Sequence, residues 1–436
     1  MVAYLTRLAA CLQVLFTTTA ETLGKTTNFV QRRRKLTASS FAQTLVFRWM
    51  AQPKTTMESM ALELDVSPQA LQQHLGPKAE AFLRALLRNA LAQALKIQPQ
   101  ALGLLDRFGS TIIEDTTVIP LPASMAEQFP GCGGGGAAGQ GTASLKILLR
   151  WDLRSGELLA LTVHSGRTSD QTLAAEAGDL PPRCVHLADM GFFNSERWLT
   201  YGSTQYWISR VPTRTQVQWQ GVWQTLGRLL DQGTEAEFDA DVLLVQKTGL
   251  PCRLTARRCP EEVANRRRQK LREYTRDKKG REPSFEQLAL CSWLIFATNV
   301  PAAMLLAKEV WVVYRCRWQV ELLFKRAKQL AGWGFSWGRS GTRILVELYA
   351  KLLGLVVLHW GTLLNGGPLN GVSMWKRVKA VGEVAQRLQD SLAHGPEAVA
   401  DVLTNLAKRL SRLRPQAKSQ KKPGTRQLLF KPRLAA

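Results

Sequence analysis

The sequence predicts an α/β chain with helical regions at both ends and a β-rich insertion between two parts of its core. Three observations carry this. Residues 1 to about 106 keep helical periodicity, and it returns from about 304 to 413. From about residue 109, short β-branched runs alternate with helical ones. Between 204 and 290 strand formers dominate, around one strongly basic run.

Met1–Phe16 is apolar but interrupted by Arg7 and followed by no A-x-A site, so it reads as an amphipathic helix and not a signal peptide. Within Met57–His74, Ser67 is an N-cap and Pro68 suits a first helical position. Helix, short turn and second helix follow, as in a helix-turn-helix or an ordinary helical hairpin. Thr111–Ile119 is a central strand. The glycine-rich run from Gly131 lacks a GK[ST] ending and reads as an excursion, not a phosphate loop. Ser144–Leu153 and Glu157–His164 form a hairpin, a helix covers Gln171–Ala177, and a strand covers Cys184–Ala188. Trp293–Thr298 is a buried strand and about 304–330 one long helix. Leu352–Leu364 is too short to span a bilayer and reads as a core helix. From Lys408 onward there are ten Lys/Arg and no acid, which predicts a disordered tail suited to phosphates.

The chain has 436 residues, 45% hydrophobic, with a formal charge of +24. Such an excess attracts polyanions, above all nucleic acid. Seven scattered cysteines with no CxxC, and five histidines without HxxxH, argue against a disulfide framework, a structural zinc site and a zinc enzyme.

Chemistry concentrates in three acids. Asp115 lies inside an apolar strand, where an uncompensated carboxylate is costly, and strand alternation sends the adjacent Glu114 to the other face. Asp189 ends a second apolar strand. Glu321 lies on the long helix in a polar stripe with Tyr314, Arg317 and Lys328, roughly 60° wide at about 100° per residue, opposite Val312, Cys316, Leu323 and Leu330. Read alone, that helix is first an amphipathic surface helix with an Arg317–Glu321 pair, and only the rest of the chain turns the reading toward chemistry. Asp115 also reads as a satisfied strand-end residue, and Asp189 before Gly191 as a turn former. Together, three carboxylates on neighbouring strands and a following helix suit hard divalent cations, Mg²⁺ or Mn²⁺. Two such ions serve phosphodiester cleavage by activating the attacking oxygen and stabilising the leaving one.

The spacing Tyr314-x2-Arg317-x3-Glu321-x6-Lys328 resembles the Y-R-E-K signature of bacterial insertion-sequence transposases with an Asp-Asp-Glu triad, the insertion-sequence-four family. Asp115-Thr-Thr and Asp189-Met-Gly-Phe-Phe are similar to the segments around that family's two aspartates. The similarity covers about 100–335. Met190 departs from it, since the family often has Arg there. The resemblance implies an RNase H-like catalytic core, with the 131 residues between Asp189 and Glu321 housing the insertion. It implies Asp115, Asp189 and Glu321 as catalytic metal ligands for about two Mg²⁺ or Mn²⁺ ions. Tyr314, Arg317 and Lys328 would contact phosphates. Trp293 would stack on a flipped base, or else is a core tryptophan.

The expected organisation is a helical DNA-binding region at 1–106, core at 107–203, insertion at 204–290, core with the Glu helix at 291–340, helices at 341–413 and a basic tail at 414–436. Arg266, Arg267, Arg268 and Lys270 in the insertion would bind DNA. The expected activity is cut-and-paste excision and integration, by way of a hairpin, on terminal inverted repeats and target DNA. A homodimer on paired ends, a cytoplasmic, nucleoid-associated location and no membrane partner complete the expectation. A related nuclease that does not integrate, and a non-catalytic DNA-binding derivative, stay open.

Overall fold

The computed structural model describes residues 2–30, 35–132, 142–202, 204–231, 235–330, 341–415 and 423–432. Ten strands lie among them: β1 Ser110–Leu121, β2 Ala143–Asp152, β3 Leu158–Ser165, β4 Cys184–Ala188, β5 Tyr206–Arg210, β6 Gln216–Trp219, β7 Val222–Thr225, β8 Glu237–Leu244, β9 Leu250–Arg258 and β10 Trp293–Thr298. The chain divides into two compact units. The first comprises Met1–Gln100, Thr116–Thr168 and Trp318–Lys418, the second Ala101–Asp115, Ser169–Arg317 and Ser419–Ala436. Strand β1 passes from the second to the first between Asp115 and Thr116, and Glu321 and Asp115 thus belong to different units.

The first unit is built around helix Gly341–Thr362, whose residues from Leu345 to Thr362 are all buried. It packs on helices Ala38–Ala51 and Pro77–Ala92. With its final turn the segment Gly341–Asn365 is long and apolar enough to cross a membrane, but 94% of its most apolar window is buried in the protein. The core reading of Leu352–Leu364 therefore stands, although the helix is much longer than that stretch. Val2–Thr26 is also long and apolar enough to cross a membrane, with 39% of its most apolar stretch buried. It runs as Val2–Val14, a π-helical turn Leu15–Thr19, and Ala20–Thr26, and its first part packs on helix Pro396–Ser411. Strands β2 and β3 pair antiparallel, in the order β3-β2-β1.

Polar groups inside this unit are compensated locally. Glu347 lies 3.7 Å from Arg343 and 3.9 Å from Lys351, each one turn away, and the Lys351 ammonium stands 5.1 Å from the Trp49 ring centre. Burial lowers Lys351 to about 8, with Glu347 opposing that shift. His359 Nε2 sits 2.6 Å from the Gly156 carbonyl and its ring meets Trp151 edge-on.

The second unit carries the strand order β1-β4-β5-β10-β9-β8-β6-β7. Strands β1, β4 and β5 are parallel. Strand β10 runs antiparallel to β5 and β9, and β9, β8, β6 and β7 continue antiparallel. All five residues of β4 are buried, as suits a parallel strand covered on both faces. The region expected as a separate insertion from 204 is corrected by β5, which extends the parallel set and joins β10. The intervening β6–β9 and helix Glu261–Lys279 are the excursion.

Three further expectations are revised. The long helix is interrupted: Ala307–Tyr314 gives way to a 3-10 turn, Arg315–Arg317, before helix Trp318–Leu330. A single 100° stripe therefore does not run from Tyr314 to Lys328. Val312, Cys316 and Leu323 are buried as expected; the Leu330 side chain, like the glycine run from Gly133, lies outside the described residues. The tail is not wholly disordered. Thr425–Phe430 is a helix that buries Leu428 and Leu429 against the turn Gly103–Arg107 and helix Ala307–Tyr314. Gly103 adopts φ +63°, and a Cβ there would meet the Leu429 carbonyl oxygen at 2.3 Å, so only glycine fits.

One stability prediction follows from His359. Burial depresses it to about 4, the Gly156 hydrogen bond opposes this, and Arg377 adds to it. The unfolded value is about 6.5, so the unfolded chain takes a proton that the folded one refuses. Stability should be full above pH 6.5 and fall as pH drops toward 4, by roughly 3 kcal/mol from this group. Urea unfolding across that window should show a shallower pH slope in His359→Gln than in the wild type; equal slopes would refute the assignment.

Candidate active site

Parallel strands leave a crevice beyond their carboxyl ends, where α/β proteins place ligands. The β1–β4 register runs from Ser110↔Cys184 to Ile113↔Leu187. Continued by two residues, it sets Asp115 level with Asp189, which is still extended at φ −81°, ψ 170°. Side chains alternate along a strand, so both carboxylates share one face. The β4–β5 register, ending at Ala188↔Ser209, likewise sets Arg210 beside Asp189. The row across three strands reads Asp, Asp, Arg.

Two carboxylates on strands about 4.8 Å apart repel each other unless compensated. The compensation comes from the segment after β10. Arg317 Nη1 donates to Asp115 Oδ2 at 3.0 Å, with side-chain exposures of only 11% and 18%. The Tyr314 hydroxyl donates to Asp189 Oδ1 at 3.3 Å. The Arg317 guanidinium stands 5.8 Å from the Tyr314 ring centre, and Phe296 of β10 packs on that ring at 4.7 Å. Burial pushes the Tyr314 phenol well above its ordinary value and Asp189 pushes it further, against the pull of Arg317 and Arg210. It stays protonated and remains a donor.

The same segment is anchored at its other end. Arg107, just before β1, bonds to Glu309 Oε2 at 2.8 Å and to the Met304 carbonyl. Glu309 also accepts from the Leu306 amide at 3.0 Å, closing the start of helix Ala307–Tyr314. Reading the sequence missed Arg210, Arg107 and Glu309. No local signal marks Arg210, because its place beside Asp189 depends on the pairing of β5 with β4.

The sequence model of the transposase DDE domain matches residues 106–356, more than half of the chain. This chain belongs to the DDE transposase family. Similar proteins agree. The transposase of insertion sequence element IS231B from Bacillus thuringiensis subsp. berliner is 27% identical over 372 residues, 77% of this chain and 75% of the relative. That of IS1151 from Clostridium perfringens is 23% identical over 367 residues, 77% and 76%. The putative transposase InsL of IS186A from Escherichia coli K12 is 27% identical over 216 residues, 44% and 54%.

Of the residues expected to serve this transposase, Asp115, Asp189, Tyr314 and Arg317 are brought together in the second unit. Glu321 lies in the first turn of helix Trp318–Leu330, in the first unit. Lys328 is exposed, its ammonium 3.5 Å from the Val118 carbonyl of β1. Among the described residues no three His, Cys, Asp or Glu side chains gather as a metal cluster.

Three of the expected DNA contacts are engaged within the fold. Trp293 is 8% exposed, with the Arg258 guanidinium 4.7 Å from its ring centre. Arg267 donates to the Trp293 carbonyl at 3.0 Å and to Cys259 Sγ at 3.3 Å. Arg268 holds Glu261, Asn265 and Ser292. Arg267 ties their helix to β10 and Arg268 ties it to Ser292 just before that strand. Arg266 and Lys270 are exposed on that helix and keep the surface a phosphate contact requires.

Trp293→Ala should lower stability by about 3–5 kcal/mol, the range for removing a buried tryptophan. Urea unfolding of the free protein measures it. An unchanged midpoint would assign the ring to DNA instead.

Proposed function

We propose that this transposase excises and integrates an insertion sequence by metal-dependent cleavage and strand transfer at terminal inverted repeats, as a member of the insertion-sequence-four family. The observation that carries the reading is the pair Asp115 and Asp189, level on adjacent parallel strands and compensated by Arg317 and Tyr314. The order β3-β2-β1 and the parallel set β1-β4-β5 support an RNase H-like core. The family match supports the substrate class.

The donor chemistry fits a divalent ion. Asp115 and Asp189 offer hard oxygens at one level, partly exposed, and Glu321 would complete the set. Bound Mg²⁺ or Mn²⁺, two ions in this reading, would polarise the attacked phosphodiester and lower the pKa of the attacking water or 3′-hydroxyl. Arg317 holds the Asp115 carboxylate in place and adds positive charge beside a phosphate bound at the site. Tyr314, kept protonated, fixes the orientation of Asp189. Lys328, exposed near the outer half of β1, offers a point charge to the DNA backbone, as do Arg266 and Lys270. Both ends of the element must be cut together, so the active species on DNA is a homodimer. The substrate places its action in the bacterial cytoplasm, at the nucleoid.

A supercoiled plasmid carrying the repeats that flank the gene, incubated with the full chain and Mg²⁺, should yield excised element and joined target. Asp115→Asn, Asp189→Asn and Glu321→Gln should each reduce cleavage on the order of 1,000-fold while leaving DNA binding intact. Chelation should abolish cleavage and Mn²⁺ should restore it. Wild-type cleavage by Glu321→Gln would remove Glu321 from the site. Cleaved ends without joined target would mark a nuclease.

A further inference from the structure

We propose that helices Met57–Glu63 and Pro68–His74 form a sequence-reading element, with Gln69, Gln72 and Gln73 meeting base edges in the major groove of duplex DNA. The inference rests on the transposase reading and names how that protein would choose its DNA.

The two helices are joined by a built turn. Asp65 takes the left-handed conformation at φ +51°. The Val66 amide donates to Ala61 O at 3.0 Å and the Asp65 amide to Leu62 O at 3.2 Å, the paired closure that ends a helix sharply. Ser67 then caps the second helix by accepting from the Ala70 amide at 3.1 Å, and Pro68 opens it. Met60, Ala61, Leu64, Leu71 and Leu75 are buried between and beneath the helices. The pair is held from behind by Glu63, whose carboxylate accepts from Thr44, Arg48 and Gln389 on two other helices.

Its outer face is different in kind. Helix Pro68–His74 buries only Leu71. Gln69, Gln72 and Gln73 are exposed and fall within an arc of about 100°. No Lys or Arg occurs on that helix, so phosphate neutralisation is not its task. An amide presents a donor and an acceptor side by side, the pattern that pairs with adenine N7 and N6 in the major groove. The second helix of such a pair is the one that enters that groove. Phosphate contacts fall to the flanks, where Lys54 and Lys78 are exposed on either side of the element in sequence. Residues 1–100 carry twelve Lys/Arg against five Asp/Glu, so the approach to a duplex is favourable. Leu62, 82% exposed near the end of the first helix, is the one large apolar side chain the element exposes, against three amides on the second.

Selection from a random duplex library at fixed salt, with the full-length protein, tests this. Wild type should enrich a short motif. The triple variant Gln69→Ala/Gln72→Ala/Gln73→Ala should lose it, each single change relaxing one part of the motif. Affinity for the motif should fall roughly 10-fold or more per lost amide contact. Binding to unselected DNA and its salt dependence should hold. Lys54→Ala or Lys78→Ala should instead weaken all sequences alike. Unchanged thermal unfolding of the triple variant verifies that its fold is intact.

The inference is overturned if the triple variant enriches the same motif with equal affinity, or if wild type enriches none. It is also overturned if the variant changes only self-association, which would make this face a protein contact. Plasmid cleavage is read separately. Loss of the motif in the variant without cleavage by wild type would sink the transposase reading and leave the DNA-reading surface standing.

Discussion

Everything at the candidate site follows from one electrostatic constraint: two carboxylates at the same level on adjacent strands must be neutralised or they push the strands apart. The Arg317 guanidinium, at 3.0 Å from Asp115, is the main counterweight. Tyr314 contributes a hydrogen bond in place of a charge. Neither works unless the segment bearing them is fixed in register with β1, and that is the role of Arg107 and Glu309 at its start. Both carboxylates thus sit among a cation, a phenol and each other, with Arg210 beside Asp189 on the next strand.

Much of the first strand set was legible in the sequence because its signals are local. Thr111–Ile119 is β-branched, Cys184–Ala188 is apolar apart from His186, and Ser67-Pro68 announces a helix start. The spacing of Tyr314, Arg317, Glu321 and Lys328 pointed to the right neighbourhood, yet only the first two share a compact unit with the aspartates. The 3-10 turn Arg315–Arg317 breaks a helix whose apolar pattern gave no sign of interruption.

What was not legible depends on distant partners. Nothing within Tyr206–Arg210 says that it pairs with β4 on one side and β10 on the other. A cluster of arginines reads the same whether it faces solvent or folds inward. Arg267 and Arg268 turn to carbonyls near β10, while Arg266 and Lys270, one helical side away, remain outside. Trp293 likewise meets Arg258 of β9 in a contact that no local signal announces.

The helix Thr425–Phe430 has a genetic corollary. The unit that holds both aspartates is assembled from three separated stretches, the last of them contributing Leu428 and Leu429. A frameshift anywhere between Trp318 and Gly424 spares Asp115, Asp189, Tyr314 and Arg317 but strips away the piece that closes over Gly103. The reading frame therefore encodes that unit in three pieces, and a fragment ending before Gly424 lacks one of them.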